Sequence, residues 1–209
     1  MQVSVSLVEG NHALRATFAA LLQAAPGLRC LGAYRTAEEA VRRIPLEPPE
    51  IALVDMDLPG QGGVECVARL KDRLPDLRIL MLTMYRQDDL TLHSLRAGAA
   101  GCLPKNTPAA ELLLAVEQLQ AGAAQMTMSI ARKVMDFFQE LPRPAGPREY
   151  LSPRERQILE LLATGNQDLE IGETLGLSQF TVRTHLHAIY GKLHAQARAQ
   201  QAGHFPARA

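Results

Sequence analysis

The chain has no excess of charge of either sign: 22 Lys and Arg stand against 22 Asp and Glu, a formal net charge of zero. That balance excludes the broad positive field by which strongly basic proteins hold nucleic acid without regard to sequence. The balance is also local: 12 basic and 14 acidic residues in 1–122, 4 and 3 in 123–149, 6 and 5 in 150–209. Any affinity of the last part for a polyanion therefore rests on where a few cations stand. Cysteine is scarce. Cys30, Cys66 and Cys102 are odd in number and widely spaced, with no Cys-x-x-Cys pair and no His at metal-ligand spacing, so they read as buried thiols. No apolar run approaches the roughly eighteen residues of a membrane span, and Met1-Gln2-Val3-Ser4-Val5 lacks the charged start and apolar core of a signal peptide. A cytoplasmic protein with no membrane partner is expected. Internal repeats are absent, which excludes a solenoid.

What is present divides the chain in three. Leu141 to Tyr150 packs three prolines and a glycine into ten positions, a composition that resists regular structure and favours an extended connector. The expected organisation is residues 1–122 as one domain, 123–150 as a linker helix and Pro-rich connector, and 151–209 as a second domain. In the linker, Ile130, Val134, Phe137, Phe138 and Leu141 recur at three- and four-residue steps, an amphipathic helix whose partner the sequence does not name.

Short apolar runs at Val3–Val8, Leu28–Ala33, Ile51–Val54, Ile79–Thr83 and Gly101–Leu103 alternate with stretches of helical period in 1–122. Five strands alternating with five helices imply an α/β fold with a doubly wound five-stranded parallel sheet, whose ligands collect at the carboxyl ends of the strands. Four side chains stand there: Glu9 after the first strand, Asp55 after the third, Thr83 after the fourth and Lys105 just past the fifth. A carboxylate can attack phosphorus while a hydroxyl and an ammonium hold the phosphate oxygens and Mg²⁺ offsets charge. Each residue alone is ordinary at a strand end; the ordered set is specific.

With Met56-Asp57-Leu58-Pro59-Gly60 following Asp55, residues 1–122 resemble a two-component receiver domain of the flavodoxin-like type. The resemblance implies Asp55 as phosphoacceptor, Thr83 as switch hydroxyl, Lys105 as phosphate-binding lysine and Glu9 as first member of an acidic pair. Asp57 would lend its backbone carbonyl to Mg²⁺, and a sensor histidine kinase would be the partner. Two departures stand out: Gly10 replaces the acidic residue that ligates Mg²⁺, and Cys102 replaces the aromatic that swings inward on activation. Mg²⁺ held at Glu9, Asp55 and Asp57 is thus expected to be weak or absent, with Asn11 or the Asp57 side chain as substitute oxygens. Phosphorylation at Asp55 is expected to be impaired.

In the last part, Ser152-Pro153-Arg154-Glu155 supplies an N-cap, a proline at the first helical position and a capping-box glutamate. A second helix spans Asp168 to Leu175, Gly176 allows a tight turn, and Ser178 caps a third helix. There Val182, Leu186, Ile189 and Leu193 form one stripe, leaving Arg183, Thr184, His187 and Gly191 opposite. These residues, with Leu151, Gly165, Ile171, Leu175-Gly176-Leu177-Ser178, Thr181-Val182-Arg183 and Ile189-Tyr190, resemble the LuxR-type helix-turn-helix of the NarL/FixJ group. That small all-α domain implies double-stranded DNA as partner, with Arg183, Thr184 and His187 near base edges, Lys192 near phosphates, and a homodimer on paired half-sites. Departures recur: Leu169 and His187 stand where lysine is frequent, and His194 where glycine is usual. His185, His187, His194 and His204 are expected in surface or packing roles rather than as metal ligands.

The expected function is therefore a DNA-binding transcriptional response regulator, not an enzyme, with an atypical receiver. The alternatives are a receiver-based interaction module with weak DNA binding, and a normally phosphorylated regulator.

Overall fold

The computed structural model describes residues 2–60, 62–84, 88–142 and 150–203. The proline-rich stretch at 143–149 and His204 lie outside them. The described chain forms two compact units, Met1–Ala121 and Gly122–Ala209.

In the first unit, β1 (Val3–Val8), β2 (Leu28–Tyr34), β3 (Ile51–Asp55), β4 (Arg78–Thr83) and β5 (Gly101–Pro104) form one sheet in the order β2-β1-β3-β4-β5. All neighbours are parallel, which requires a crossover between each pair. The crossovers are α1 (His12–Ala24), α2 (Ala37–Arg43), α3 (Gly62–Arg73) and α4 (Asp88–Ala97), and α5 (Ala109–Gln120) follows β5. Central β3 is buried at all five positions, as a strand covered on both faces must be. Alternate residues Val5, Leu7, Ile51, Leu53, Leu80 and Leu82 point to one face, where they pack with Phe18 and Leu22 of α1 and Leu112, Val116 and Leu119 of α5.

Because the strands are parallel and in register, their carboxyl ends meet. Val8 pairs with Val54, Asp55 with Leu82 and Thr83 with Pro104. One rim of the sheet thus carries the residues after β1, β3, β4 and β5. Cys66 is fully buried, whereas Cys30 and Cys102 are only half-buried. The expectation of three buried thiols fails for those two because they lie on β2 and β5, the edge strands.

The second unit contains α6 (Met128–Glu140), α7 (Pro153–Ala163), α8 (Asp168–Leu175) and α9 (Gln179–Gly203). The amphipathic face read from the sequence finds its partner here. Ile130, Val134, Phe137, Phe138 and Leu141 are buried, α6 packs on α7, and Arg132 Nε donates to the Ala163 carbonyl at 2.8 Å. The segment before α6 is bonded to α9: Ala124 N–H donates to Arg183 O at 3.0 Å and Tyr190 Oη to Gln125 O at 2.8 Å. The linker helix, whose partner the sequence left open, is thus packed within the second unit.

Gly176 ends α8 at φ 66°, a left-handed conformation suited to glycine. Gly172 allows the turn to close against α8, since a Cβ there would lie 2.7 Å from Leu177 O. The last helix, α9, runs unbroken for 25 residues, through Gly191 and His194.

Candidate functional site

The rim of the sheet brings together three of the four expected side chains by direct ionic contact. Lys105 Nζ lies 2.8 Å from Glu9 Oε2 and 2.7 Å from Asp55 Oδ1, and all three side chains are nearly or fully buried. The backbone holds the carboxylates. Asn11 N–H donates to Glu9 Oε1 at 2.9 Å, Asp57 N–H to Asp55 Oδ1 at 2.8 Å, and Gly10 N–H approaches Asp55 Oδ2 at 3.5 Å. Lys105 is placed by its own N–H, which donates to Thr83 O at 2.7 Å, so the buried Thr83 stands beside it on the rim. Two carboxylates against one ammonium leave a net negative charge in a desolvated place. Burial pushes the Glu9 carboxyl above its ordinary range, and the hydrogen bonds from Lys105 and Asn11 offset only part of that. For Lys105, burial works against the ammonium, but the bonds to Asp55 and Glu9 outweigh it and the pKa rises.

A divalent ion in this place would need oxygen ligands. Gly10 offers no side-chain oxygen, and its surroundings are closed: a Cβ on Gly10 would stand 2.9 Å from Pro59 Cδ. Its backbone is not the obstacle, since Gly10 is not among the glycines with positive φ. Asn11 is committed elsewhere, its Oδ1 accepting Leu14 N–H at 3.1 Å as the N-cap of α1. The Asp57 side chain is exposed, and both remaining carboxylates are engaged by Lys105. Among the described residues no group of three or more His, Cys, Asp and Glu is placed to hold a metal. The residues present therefore do not fit the ion well.

Gly63, which sequence reasoning missed, lets α3 start against the end of β3. A Cβ there would lie 2.1 Å from the Asp55 carbonyl oxygen. Gly63→Ala is expected to destabilise the first unit by about 1–3 kcal/mol through overpacking, measured by urea unfolding. No loss would contradict the close approach.

The second candidate site is the exposed side of α9. Val182, Leu186, Ile189 and Leu193 are fully buried, and Thr184 and Gly191 are exposed on the opposite side, with His187 and Arg183 half-buried. Arg183 Nε donates to Asp168 Oδ2 at 2.8 Å, with the Arg183 side chain 17% exposed. Lys192 Nζ lies 2.6 Å from Glu155 Oε2. Two of the expected DNA-facing cations are therefore paired within the domain, and Leu169, beside Asp168, is 57% exposed.

Glu155 does double duty. Its carboxylate accepts Ser152 N–H at 2.6 Å, while Ser152 Oγ accepts Glu155 N–H at 3.3 Å, closing the capping box. Burial raises its pKa, but Lys192 and Ser152 outweigh burial, and the result lies below 4.5. A carboxylate depressed in the folded state contributes stability above its unfolded pKa, and that is lost as pH falls through the folded value. The second unit is therefore expected to weaken below about pH 4.5, and Glu155→Gln to flatten that dependence, read by hydrogen-exchange protection in α7. An unchanged acid limb would contradict the assignment.

Comparison with known proteins turns this geometry into a family. Residues 5–117 match the response regulator receiver domain, and residues 149–205 match the bacterial regulatory proteins of the luxR family. The chain belongs to the DNA-binding transcriptional response regulators. Among the relatives of this regulator is the DNA-binding transcriptional activator DevR/DosR of Mycobacterium tuberculosis, 32% identical over 200 residues, covering 96% of this chain and 92% of that one. The transcriptional regulatory protein LiaR of Bacillus subtilis is 32% identical, with 96% and 95% covered. Of solved structures, a two-component response regulator of the LuxR family from Aurantimonas sp. superimposes with a TM-score of 0.59 at 29% identity, covering 67% of this chain and all of that one. The family is one of transcription regulators rather than enzymes. Mg²⁺ is the ion that receiver domains take, and no described helix of this regulator is long and apolar enough to cross a membrane.

Proposed function

We propose that this regulator binds duplex DNA through α9 and does so with little dependence on Mg²⁺-assisted phosphorylation of Asp55. The observation that carries the reading is the Lys105 ammonium lodged between Glu9 and Asp55, in a pocket where Gly10 supplies no carboxylate. The ammonium already serves as the counter-ion of both acids. Glu9, Asp55 and the Asp57 carbonyl would form a weak Mg²⁺ site, and Thr83 and Lys105 remain beside Asp55 as the groups that would hold a phosphate. A sensor histidine kinase would then be a weak donor or a docking partner. The regulator acts as a homodimer on paired half-sites, in the cytoplasm. Domain organisation follows the same reading: the receiver through 122, then a linker helix that packs with the second unit and a connector through 150, then the helix-turn-helix.

Asp168 holds the Arg183 guanidinium through its Nε, and on DNA the terminal nitrogens would be the ones to meet a base edge. Thr184 and His187 lie beside it, and Lys192 faces the backbone with its charge partly offset. Asp168→Asn is expected to raise non-specific affinity, by removing a carboxylate from the DNA-facing side. The same variant lowers the ratio of specific to non-specific binding by loosening Arg183. Competition gel shifts measure both; a rise in that ratio would contradict the role given to Asp168.

A second reading, an interaction module with weak DNA binding, is favoured by one observation: Arg183 and Lys192 are both paired internally while Leu169 is exposed in place of a cation. Titration of genomic fragments across a salt series separates the two. Sequence-specific retention at physiological salt supports the regulator, whereas only salt-labile, sequence-blind binding supports the module.

A further inference from the structure

Phe180 is 52% exposed, one of six large apolar side chains left exposed among the described residues. A single exposed aromatic is ordinary by itself; its place is not. On a helix, positions i, i+4, i+7 and i+11 share a face, and Phe180 heads such a row with Thr184, His187 and Gly191. That row lies directly opposite buried Val182, Leu186, Ile189 and Leu193. Arg183, by contrast, sits toward the flank, where Asp168 holds it. The centre of the DNA-facing side, in the first turn of the helix, therefore begins with an apolar ring. Thr184 Oγ1 donates to the Phe180 carbonyl at 3.0 Å, which turns the threonine hydroxyl back onto the helix backbone.

The amino-terminal residues of a recognition helix are those that reach base edges in the major groove. The one apolar feature on those edges is the C5-methyl group of thymine. We propose that Phe180 is a specificity-determining residue that reads a thymine methyl group in the major groove. The proposal rests on the DNA-binding reading of α9. Apolar contact also suits this chain's charge pattern, because methyl recognition needs neither the cation missing at Leu169 nor those paired at Arg183 and Lys192.

The test uses the full chain and synthetic DNA, which contains no 5-methylcytosine, so that thymine is the only source of the methyl group. Duplexes enriched from a random library are rebuilt with deoxyuridine replacing each thymine in turn, a change that removes only the methyl. For the unaltered chain, uridine at one position per half-site is expected to raise Kd by about 4-fold, the effect of one buried methyl-sized group. Phe180→Ala should bind the thymine and uridine duplexes equally, and Phe180→Leu should keep the thymine preference. Indifference of the unaltered chain to every replacement overturns the proposal. So does a uridine penalty that persists in Phe180→Ala, or Phe180→Ala selecting the same sequences with the same affinity, which would assign the ring to a protein partner. If the full chain enriches no sequence at all, the DNA-binding reading falls together with this one, a result distinct from enrichment without thymine dependence.

Discussion

Lys105→Ala is expected to destabilise the first unit by about 3–5 kcal/mol, the cost of leaving buried charge without its partner. The ammonium answers both Glu9 and Asp55 at under 3 Å, so its removal leaves two carboxylates facing each other away from water. The loss should depend on pH. Glu9 is already raised by burial with the ammonium present; without it the carboxyl rises further and takes up a proton. A group raised in the folded state favours folding below its unfolded pKa and loses that contribution as pH rises through the folded value. The Lys105→Ala penalty is therefore largest at neutral pH and shrinks toward pH 4.5. Neutralising the acids as well, in Lys105→Ala with Glu9→Gln and Asp55→Asn, should recover much of it. All three cysteines, Cys30, Cys66 and Cys102, lie in the first unit, so thiol labelling under denaturant reports that unit alone. Burial pushes the Cys66 thiol up to about 12, so this fully buried thiol stays unreactive until the unit opens and its labelling gives the midpoint. An unchanged labelling midpoint in Lys105→Ala would contradict the buried ion pairs.

The second large effect concerns Mg²⁺. Gly10→Asp is expected to raise Mg²⁺ affinity by at least about 10–100-fold, the range already seen when groups behind a ligand are altered. The gain is opposed by Pro59, whose Cδ would lie 2.9 Å from the new Cβ. Gly10→Asp with Pro59→Ala should therefore bind the ion more tightly than Gly10→Asp alone. Calorimetric titration of Mg²⁺ into the unaltered chain and these two variants reads this directly. Equal affinity for unaltered chain and Gly10→Asp would mean that a different set of oxygens serves the ion.

Much of this arrangement was legible before any coordinates. Parallel strands end on one rim, so Glu9, Asp55, Thr83 and Lys105 could be brought together from strand order alone, and Gly10 stood out as a missing acid. That Pro59 closes the space beside Gly10 was not legible, because it depends on how the loop after β3 folds back. Asn11 looked like a substitute oxygen, but its local use as the cap of α1 wins. At the start of α2, Thr36 accepts Glu39 N–H, while the Glu39 carboxylate takes Arg35 N–H rather than that of Thr36, a detail of loop geometry that residue spacing does not encode. The amphipathic period of α6 was plain, whereas its burial on α7 depends on tertiary packing that periodicity does not encode. The same holds for Arg183 with Asp168 and Lys192 with Glu155, pairs that join separate helices. Counting cations in the sequence misses that these two are already engaged.

The account's central claim is DNA binding that does not wait for phosphorylation of Asp55. The measurement that tests it most directly is a titration of one enriched genomic fragment, with sedimentation in parallel. Three samples are compared: untreated chain, chain with Mg²⁺ and a small phosphodonor, and Asp55→Ala under the same treatment. The account predicts one Kd and one association state for all three. A gain of about 10-fold or more, roughly 1.4 kcal/mol, confined to the treated unaltered chain would contradict it, and would mean that Asp55 is phosphorylated and drives binding despite Gly10.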